Sequence, residues 1–165
     1  MKKTFSAYAA LLILLLSALG AGQPAIKRSN PIVERAFAAW NSQDPDKLVA
    51  AYSDDIVYED VPFGPLNNGQ VEFRTWAVLC FSIIGDFKIE AVNTWVENGH
   101  GVVEWVWSGV DKDWFKTGKR FSVRGVSVIE VRNGKISRSK DFYDAAAIKA
   151  ANQTFPYNPI AIVER

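Results

Sequence analysis

Ile56-Val57-Tyr58-Glu59-Asp60 is the stretch on which the fold turns. Its alternation is that of a strand: Ile56, Tyr58 and Asp60 share one face, and Val57 and Glu59 share the other. Helical segments lie on both sides of it. Upstream, Asn30-Pro31 and Asp44-Pro45 are start signals, because Asn or Asp caps free amides and Pro suits the first turn. Ile32, Val33, Ala36, Phe37 and Trp40 then recur at helical spacing over 31–42, and Leu48, Val49 and Tyr52 over 45–53, where Asp54-Asp55 breaks the helix. Downstream, Pro62, Gly64, Pro65, Asn67, Asn68 and Gly69 mark an irregular loop. Phe73, Trp76, Ala77, Cys80, Phe81 and Ile84 form the apolar face of a third helix over 70–84, ended by Gly85-Asp86.

Beyond that helix the chain reads as strands at 87–97, 102–110, 120–131 and 135–143, followed by a short helix at 145–152. Asn98-Gly99-His100-Gly101 turns the first pair, and Asn133-Gly134 is a two-residue hairpin signal. A polar loop from Asp111 to Lys119 holds Trp114, and Val103, Trp105 and Trp107 share one strand face. Helices on one side of such a meander make an α+β domain. The expected architecture is a cone-shaped, curved antiparallel sheet wrapped around three N-terminal helices, with a cavity between sheet and helices.

Composition narrows the function classes. The chain has 165 residues, with Lys+Arg 19 against Asp+Glu 18. That balance gives no support to nucleic-acid binding, which needs a basic surplus on one face. A single cysteine, Cys80, excludes an internal disulfide, and a single histidine, His100, sits in a turn. No phosphate loop, dinucleotide fingerprint or metal-ligand cluster occurs, so the expected chemistry uses no cofactor and no metal. Six tryptophans are the unusual feature, and they suggest apolar pocket walls. Residues 1–22 have the layout of a secretory signal peptide: basic Lys2-Lys3, the apolar run Ala9 to Leu16, and small residues around Gly20 to Gly22. Residues 23–165 are then read as one exported domain, periplasmic or secreted and without a stable membrane anchor. Its last segment, 153–165, is an extended tail.

Four segments resemble the SnoaL-like and ketosteroid isomerase-like branch of the nuclear transport factor 2-like superfamily. Ala38-Ala39-Trp40-Asn41-Ser42-Gln43-Asp44-Pro45-Asp46 is similar to its helix–turn–helix opening. Tyr52-Ser53-Asp54-Asp55-Ile56-Val57-Tyr58-Glu59-Asp60 resembles its entry into the first strand. Thr117 to Arg120 through Asn133 to Ile136 resembles its penultimate hairpin, and Lys140-Asp141-Phe142-Tyr143-Asp144 its final strand end. In the isomerases an acid at the position of Asp60 shuttles a proton, while a tyrosine and a protonated acid hold the oxyanion. Those two positions carry Ala36 and Ser127 here. Limonene epoxide hydrolases use an Arg–Asp pair on the middle strand, where this chain has Trp105 and Trp107; Asp141 and Tyr58 match other positions of theirs. SnoaL-like cyclases place an acid/base Asp where Asp141 stands.

The resemblance therefore implies an exported enzyme of isomerase, cyclase or epoxide-hydrolase type, acting on a small hydrophobic molecule by carboxylate acid/base chemistry. Asp60 and Asp141 would be the proton-transfer pair. A carboxylate among indole rings has its charged form disfavoured, and two carboxylates in one pocket raise each other's proton affinity. The alternative is structural: Asp60 bonding loop amides, and Asp141 paired with Lys140, Arg138 or a backbone amide. Tyr58 and Ser127 would orient the substrate, and Trp76, Trp105, Trp107, Phe73 and Tyr143 would wall the pocket. Ser137, Ser139, Asp141 and Tyr143 are read as sharing one strand face. Asp144 faces the other way as a helix cap, and Arg124 pairs with Glu104. A non-catalytic binder of a small apolar ligand and a dimeric interaction module are the rival readings; a homodimer through the outer sheet face is expected.

Overall fold

A computed structural model of the chain describes residues 30–150; the signal-peptide reading of 1–22 and the tail 153–165 lie outside the described residues. Two helices open the fold, α1 (Pro31–Asn41) and α2 (Pro45–Ala51). Each starts as its sequence dictates: the Asn30 side chain accepts from the Ile32 amide, and the Asp44 side chain from those of Asp46 and Lys47. Strand β1 (Tyr52–Asp60) follows, then β2 (Leu66–Asn68), α3 (Gly69–Ile83), β3 (Ile84–Glu97), β4 (His100–Asp111), β5 (Arg120–Arg132), β6 (Lys135–Tyr143) and α4 (Ala145–Lys149). Asp144 caps α4 through the Ala146 amide, and Asn133 and Gly134 both take positive φ, as their hairpin requires.

The six strands form one sheet in the order β2-β1-β6-β5-β4-β3. The meander from β3 to β6 is antiparallel throughout, as its turn signals require. β1, however, joins the other edge of β6 in parallel, so the curved sheet is mixed rather than wholly antiparallel. Turn chemistry fixes only neighbours in sequence, and this pairing spans the whole of α3 and the meander. Three further differences are local. Helix α2 ends at Ala51 rather than 53, and Asp54 and Asp55 run exposed within β1. Leu66–Asn68 in the expected loop pairs with β1 as a short strand. Gly85 and Asp86 follow the end of α3 as expected but already lie in β3, which starts at Ile84 rather than 87.

Ser137 is a further correction. It sits at a register shift in the β5–β6 ladder, and its hydroxyl donates to the Glu130 carbonyl. Ile136 and Ser139, not Ser137, face the sheet's inner side with Asp141 and Tyr143.

The inner face of the sheet and the apolar faces of the helices share one core of Phe, Trp, Ile and Val side chains. Trp105 is its largest fully buried side chain. Its ring lies directly over Gly125 on the neighbouring strand, where Trp105 and Gly125 are register partners. Any side chain at 125 would occupy the space of the indole. The β4–β5 loop is stapled by Asp111, whose fully buried carboxylate accepts from the amides of Trp114, Phe115 and Thr117 and from the Thr117 hydroxyl. These donors hold its carboxyl below the usual range against the opposing cost of burial.

Gly125→Ala therefore displaces Trp105. The expected loss is about 1–3 kcal/mol of unfolding free energy in urea titration. A variant as stable as the parent would show that the indole does not rest on the glycine.

Candidate functional site

The parallel β1–β6 pairing puts Asp60 opposite Asp141, and Tyr58 opposite Ser139. The antiparallel β5–β6 pairing then puts Ser127 opposite Asp141, and Gly125 opposite Tyr143. Successive rows of inward side chains thus cross β1, β6 and β5, and the polar ones meet at Asp141. Its Oδ1 accepts from the Ser127 hydroxyl at 2.7 Å and the Ser139 hydroxyl at 3.1 Å, and its Oδ2 from the Tyr58 hydroxyl at 2.8 Å. Trp105 Nε1 donates to Ser127 Oγ at 2.8 Å, which turns the serine proton toward Asp141. Asp60 has a different partner: the Tyr143 hydroxyl donates to both of its oxygens, at 3.1 and 3.0 Å.

The two carboxylates are consequently unequal. Burial raises the Asp141 pKa, but three hydroxyl donors oppose that rise by stabilising the anion. Asp60 is 5% exposed, and burial followed by the charge of Asp141 pushes it up to about 7, against the lowering effect of Tyr143 and the Phe63 amide. Asp60 therefore holds or releases its proton near neutrality, beside an Asp141 whose three hydroxyl donors favour its anion. Tyr58 and Tyr143 are driven above the ordinary phenol range, chiefly by burial and then by the nearby carboxylates, and remain donors. Burial, and behind it the neighbouring carboxylates, keep Cys80 a thiol.

The carboxylates open on a cavity of about 40 Å³, and five of the six tryptophans line it: Trp40, Trp76, Trp105, Trp107 and Trp114. Buried aromatic and aliphatic side chains fill most of the space between sheet and helices. What remains is room for about three water-sized atoms. Most of the lining is buried; Trp114, Asp141 and Tyr143 are the partly exposed members, which locates the mouth. Phe63, from the β1–β2 loop, lies across it with its ring 4.0 Å from that of Trp114 and 6.3 Å from that of Tyr143.

Asp60, Asp141, Tyr58, Ser127, Trp76, Trp105, Trp107 and Tyr143 all reach this one cavity, as their strand faces and helix face imply. Phe73 does not. It is 0% exposed and packs behind Tyr58, with ring centroids 4.7 Å apart, so it supports the site without lining it. Asp141 pairs with hydroxyls rather than with Arg138 or Lys140; Arg138 lies near Glu130, and Lys140 meets Glu59. Arg124 meets Glu104 at 2.7 Å. Trp114 was missed as a wall. Its signal was an indole in an otherwise polar loop, but its direction depends on the Asp111 staple. Tyr143 as the partner of Asp60 was also missed, because the pair exists only through the β1–β6 register. Among the described residues no group of three or more His, Cys, Asp or Glu is placed to hold a metal ion.

A family model described as a SnoaL-like domain matches residues 33–139. No curated protein sequence matches the chain. Among solved structures, a hypothetical protein with a ketosteroid isomerase-like fold from Catenulispora acidiphila, in complex with trimethylamine, is similar at TM-score 0.70 and 21% identity, over 75% of this chain and 93% of that one. A candidate polyketide cyclase from Xanthomonas campestris pv. campestris is similar at TM-score 0.64 and 21% identity, over 73% and 93%. An LEH-like epoxide hydrolase of M. tuberculosis is similar at TM-score 0.60 and 22% identity, over 80% and 92%. At these identities the likeness is one of fold.

A raised acid affects stability with a definite sign. Below about pH 4 folded and unfolded chains both protonate Asp60; toward pH 7 the folded chain alone keeps the proton, so stability drawn from it is lost as pH rises through its folded pKa of about 7. Asp60→Asn, which cannot ionise, should therefore gain Tm over the parent as pH goes from 4 to 8. A Tm difference that stays constant with pH would show an unperturbed carboxyl. In an NMR carboxyl titration, Asp141→Asn should lower the Asp60 midpoint by removing the neighbouring charge.

Proposed function

The chain belongs to the SnoaL-like domain family, in the ketosteroid isomerase-like branch of the nuclear transport factor 2-like superfamily, and from that premise we propose that it is a cofactor-free acid/base enzyme acting on a small hydrophobic molecule. One observation carries this reading. Two carboxylates are register partners on the sheet's inner face, and one of them is poised near pH 7 while the other is fixed by three hydroxyls. A group with a pKa near the working pH is the effective proton shuttle. Asp60 takes that role, and Asp141 is a positioning residue that holds Asp60's proton affinity up. Tyr58 and Ser127 spend their hydroxyl protons on Asp141, so they orient the anion rather than the substrate. Export as a periplasmic or secreted protein belongs to the same proposal and rests on residues 1–22. Isomerisation, cyclisation and epoxide hydration all fit carboxylate acid/base chemistry, and proteins of similar fold are described as a polyketide cyclase and an epoxide hydrolase.

Substrate entry requires movement. A cavity of about 40 Å³ is far below the several hundred Å³ of an ordinary ligand pocket. Phe63 and Trp114 come from separate loops, and their parting would open the mouth without breaking the sheet.

Asp60→Asn and Asp141→Asn, assayed separately on a panel of small ketones and epoxides, should each lose at least about a hundredfold in kcat/KM. In the parent, the rate should turn over near pH 7. Unchanged rates in both variants would leave the cavity as that of a non-catalytic binder of a small apolar ligand.

A homodimer is proposed through the outer face of the sheet. Trp95, Val102 and Val128 form an exposed row across β3, β4 and β5, with Phe142 also exposed on the same face. Glu97, Glu130, Arg138 and Lys140 rim the row, and a rim with both signs can meet its own copy about a two-fold axis. Light scattering after size exclusion should give a dimer for the parent and a monomer for Val128→Glu. A parent that runs as a monomer at about 100 µM would remove the dimer.

A further inference from the structure

The indoles around the cavity divide into two kinds. Trp40 donates its N–H to the Tyr52 hydroxyl at 3.0 Å, and Trp105 donates to Ser127. Trp76 and Trp107 have no acceptor for theirs among the described residues, although both nitrogens are buried and both side chains line the cavity. Trp76 is 9% exposed and Trp107 6%. Buried donors are almost always paired, so two unpaired ones on one small cavity call for a reason.

Their placement supplies it. Trp76 comes from α3 and Trp107 from β4, yet each packs against the ring of Trp114, at 5.9 and 6.2 Å between centroids. Trp107 also packs edge-on to Tyr143, the residue that bonds Asp60. The two side chains therefore border the cavity on the Trp114 side, next to the carboxylate pair, with their nitrogens buried. An indole N–H donates and cannot accept. Most other polar groups of the site are already committed: Tyr58, Ser127 and Ser139 to Asp141, and Tyr143 to Asp60. The Tyr52 hydroxyl accepts from Trp40 and has no acceptor for its own proton among the described residues, so the site holds two unanswered indole donors and one such hydroxyl.

We propose that the indole N–H groups of Trp76 and Trp107 bind an acceptor oxygen of the ligand, which makes the ligand a neutral apolar molecule carrying a carbonyl or ether-type oxygen. A pure hydrocarbon would leave both donors buried and unpaired. An alkylammonium offers them no acceptor either, and only the carboxylates Asp60 and Asp141 would hold it. The assignment rests on the cavity being the binding site, as proposed above, but not on proton transfer, so it stands or falls separately from the Asp60 and Asp141 variants.

Cyclohexanone, methylenecyclohexane and tetramethylammonium are the probes, the first two being near-isosteres that differ in =O against =CH2. The indole N–H signals of the full chain are assigned by Trp→Phe variants and followed by ¹⁵N NMR during titration. Cyclohexanone should move the Trp76 and Trp107 signals downfield and leave those of Trp40 and Trp105 nearly still. It should bind about tenfold tighter than methylenecyclohexane. Trp76→Phe and Trp107→Phe, which keep a ring but lose the donor, should each weaken cyclohexanone binding about three- to tenfold and leave methylenecyclohexane unchanged. The parent titration needs neither variant to fold. Equal shifts from ketone and alkene overturn the proposal. So do tighter binding of tetramethylammonium than of cyclohexanone, no measurable cyclohexanone binding, and Trp76 and Trp107 signals already at hydrogen-bonded positions before any probe is added.

Discussion

The parallel pairing of β1 with β6 brings two carboxylates side by side into a wall of aromatic rings. Little else about the site is independent of that. Two adjacent buried charges would repel strongly in so apolar a setting, and the protein meets the cost in two ways. It surrounds Asp141 with hydroxyl donors from three strands, β1, β5 and β6, so that one charge is stabilised. It gives Asp60 a phenol instead and lets it keep a proton. The asymmetry that makes the pair chemically useful is the same asymmetry that makes it tolerable to the fold.

The aromatic packing serves that electrostatic arrangement. Trp105 fills the floor of the cone because Gly125 leaves room for its ring, and its N–H orders Ser127. Phe73 lies behind Tyr58 and Tyr52, which limits how far Tyr58 can retreat from Asp141. On the solvent side, the Asp111 carboxylate folds a polar loop so that Trp114 closes over the cavity against Phe63. The floor and back are built on strands and a helix, and the mouth on the loops that carry Phe63 and Trp114.

Much of this was legible in the chain itself. The strand alternation of Ile56-Val57-Tyr58-Glu59-Asp60 aimed Tyr58 and Asp60 inward, and that of β4 did the same for Val103, Trp105 and Trp107. Period-2 geometry leaves no other choice once one face is apolar. The caps at Asn30, Asp44 and Asp144 formed because their bonds are to amides two or three residues away. Ser137 departed from its period because one register shift in β6 moves every later residue relative to earlier ones. That shift carries no mark in composition.

The sequence by itself determined the elements other than β2, their order, and the shared face of Ile56, Tyr58 and Asp60, because each of these follows from interactions within a few residues; the inward face of Asp141 was implied by the family resemblance. Only the tertiary structure decided that β1 lies parallel to β6, that Asp60 and Asp141 are neighbours with different partners, and that Trp76 and Trp107 are left with free N–H groups. Those are contacts between residues tens of positions apart. Their geometry is set by how the curved sheet closes on its helices, and no local pattern encodes it.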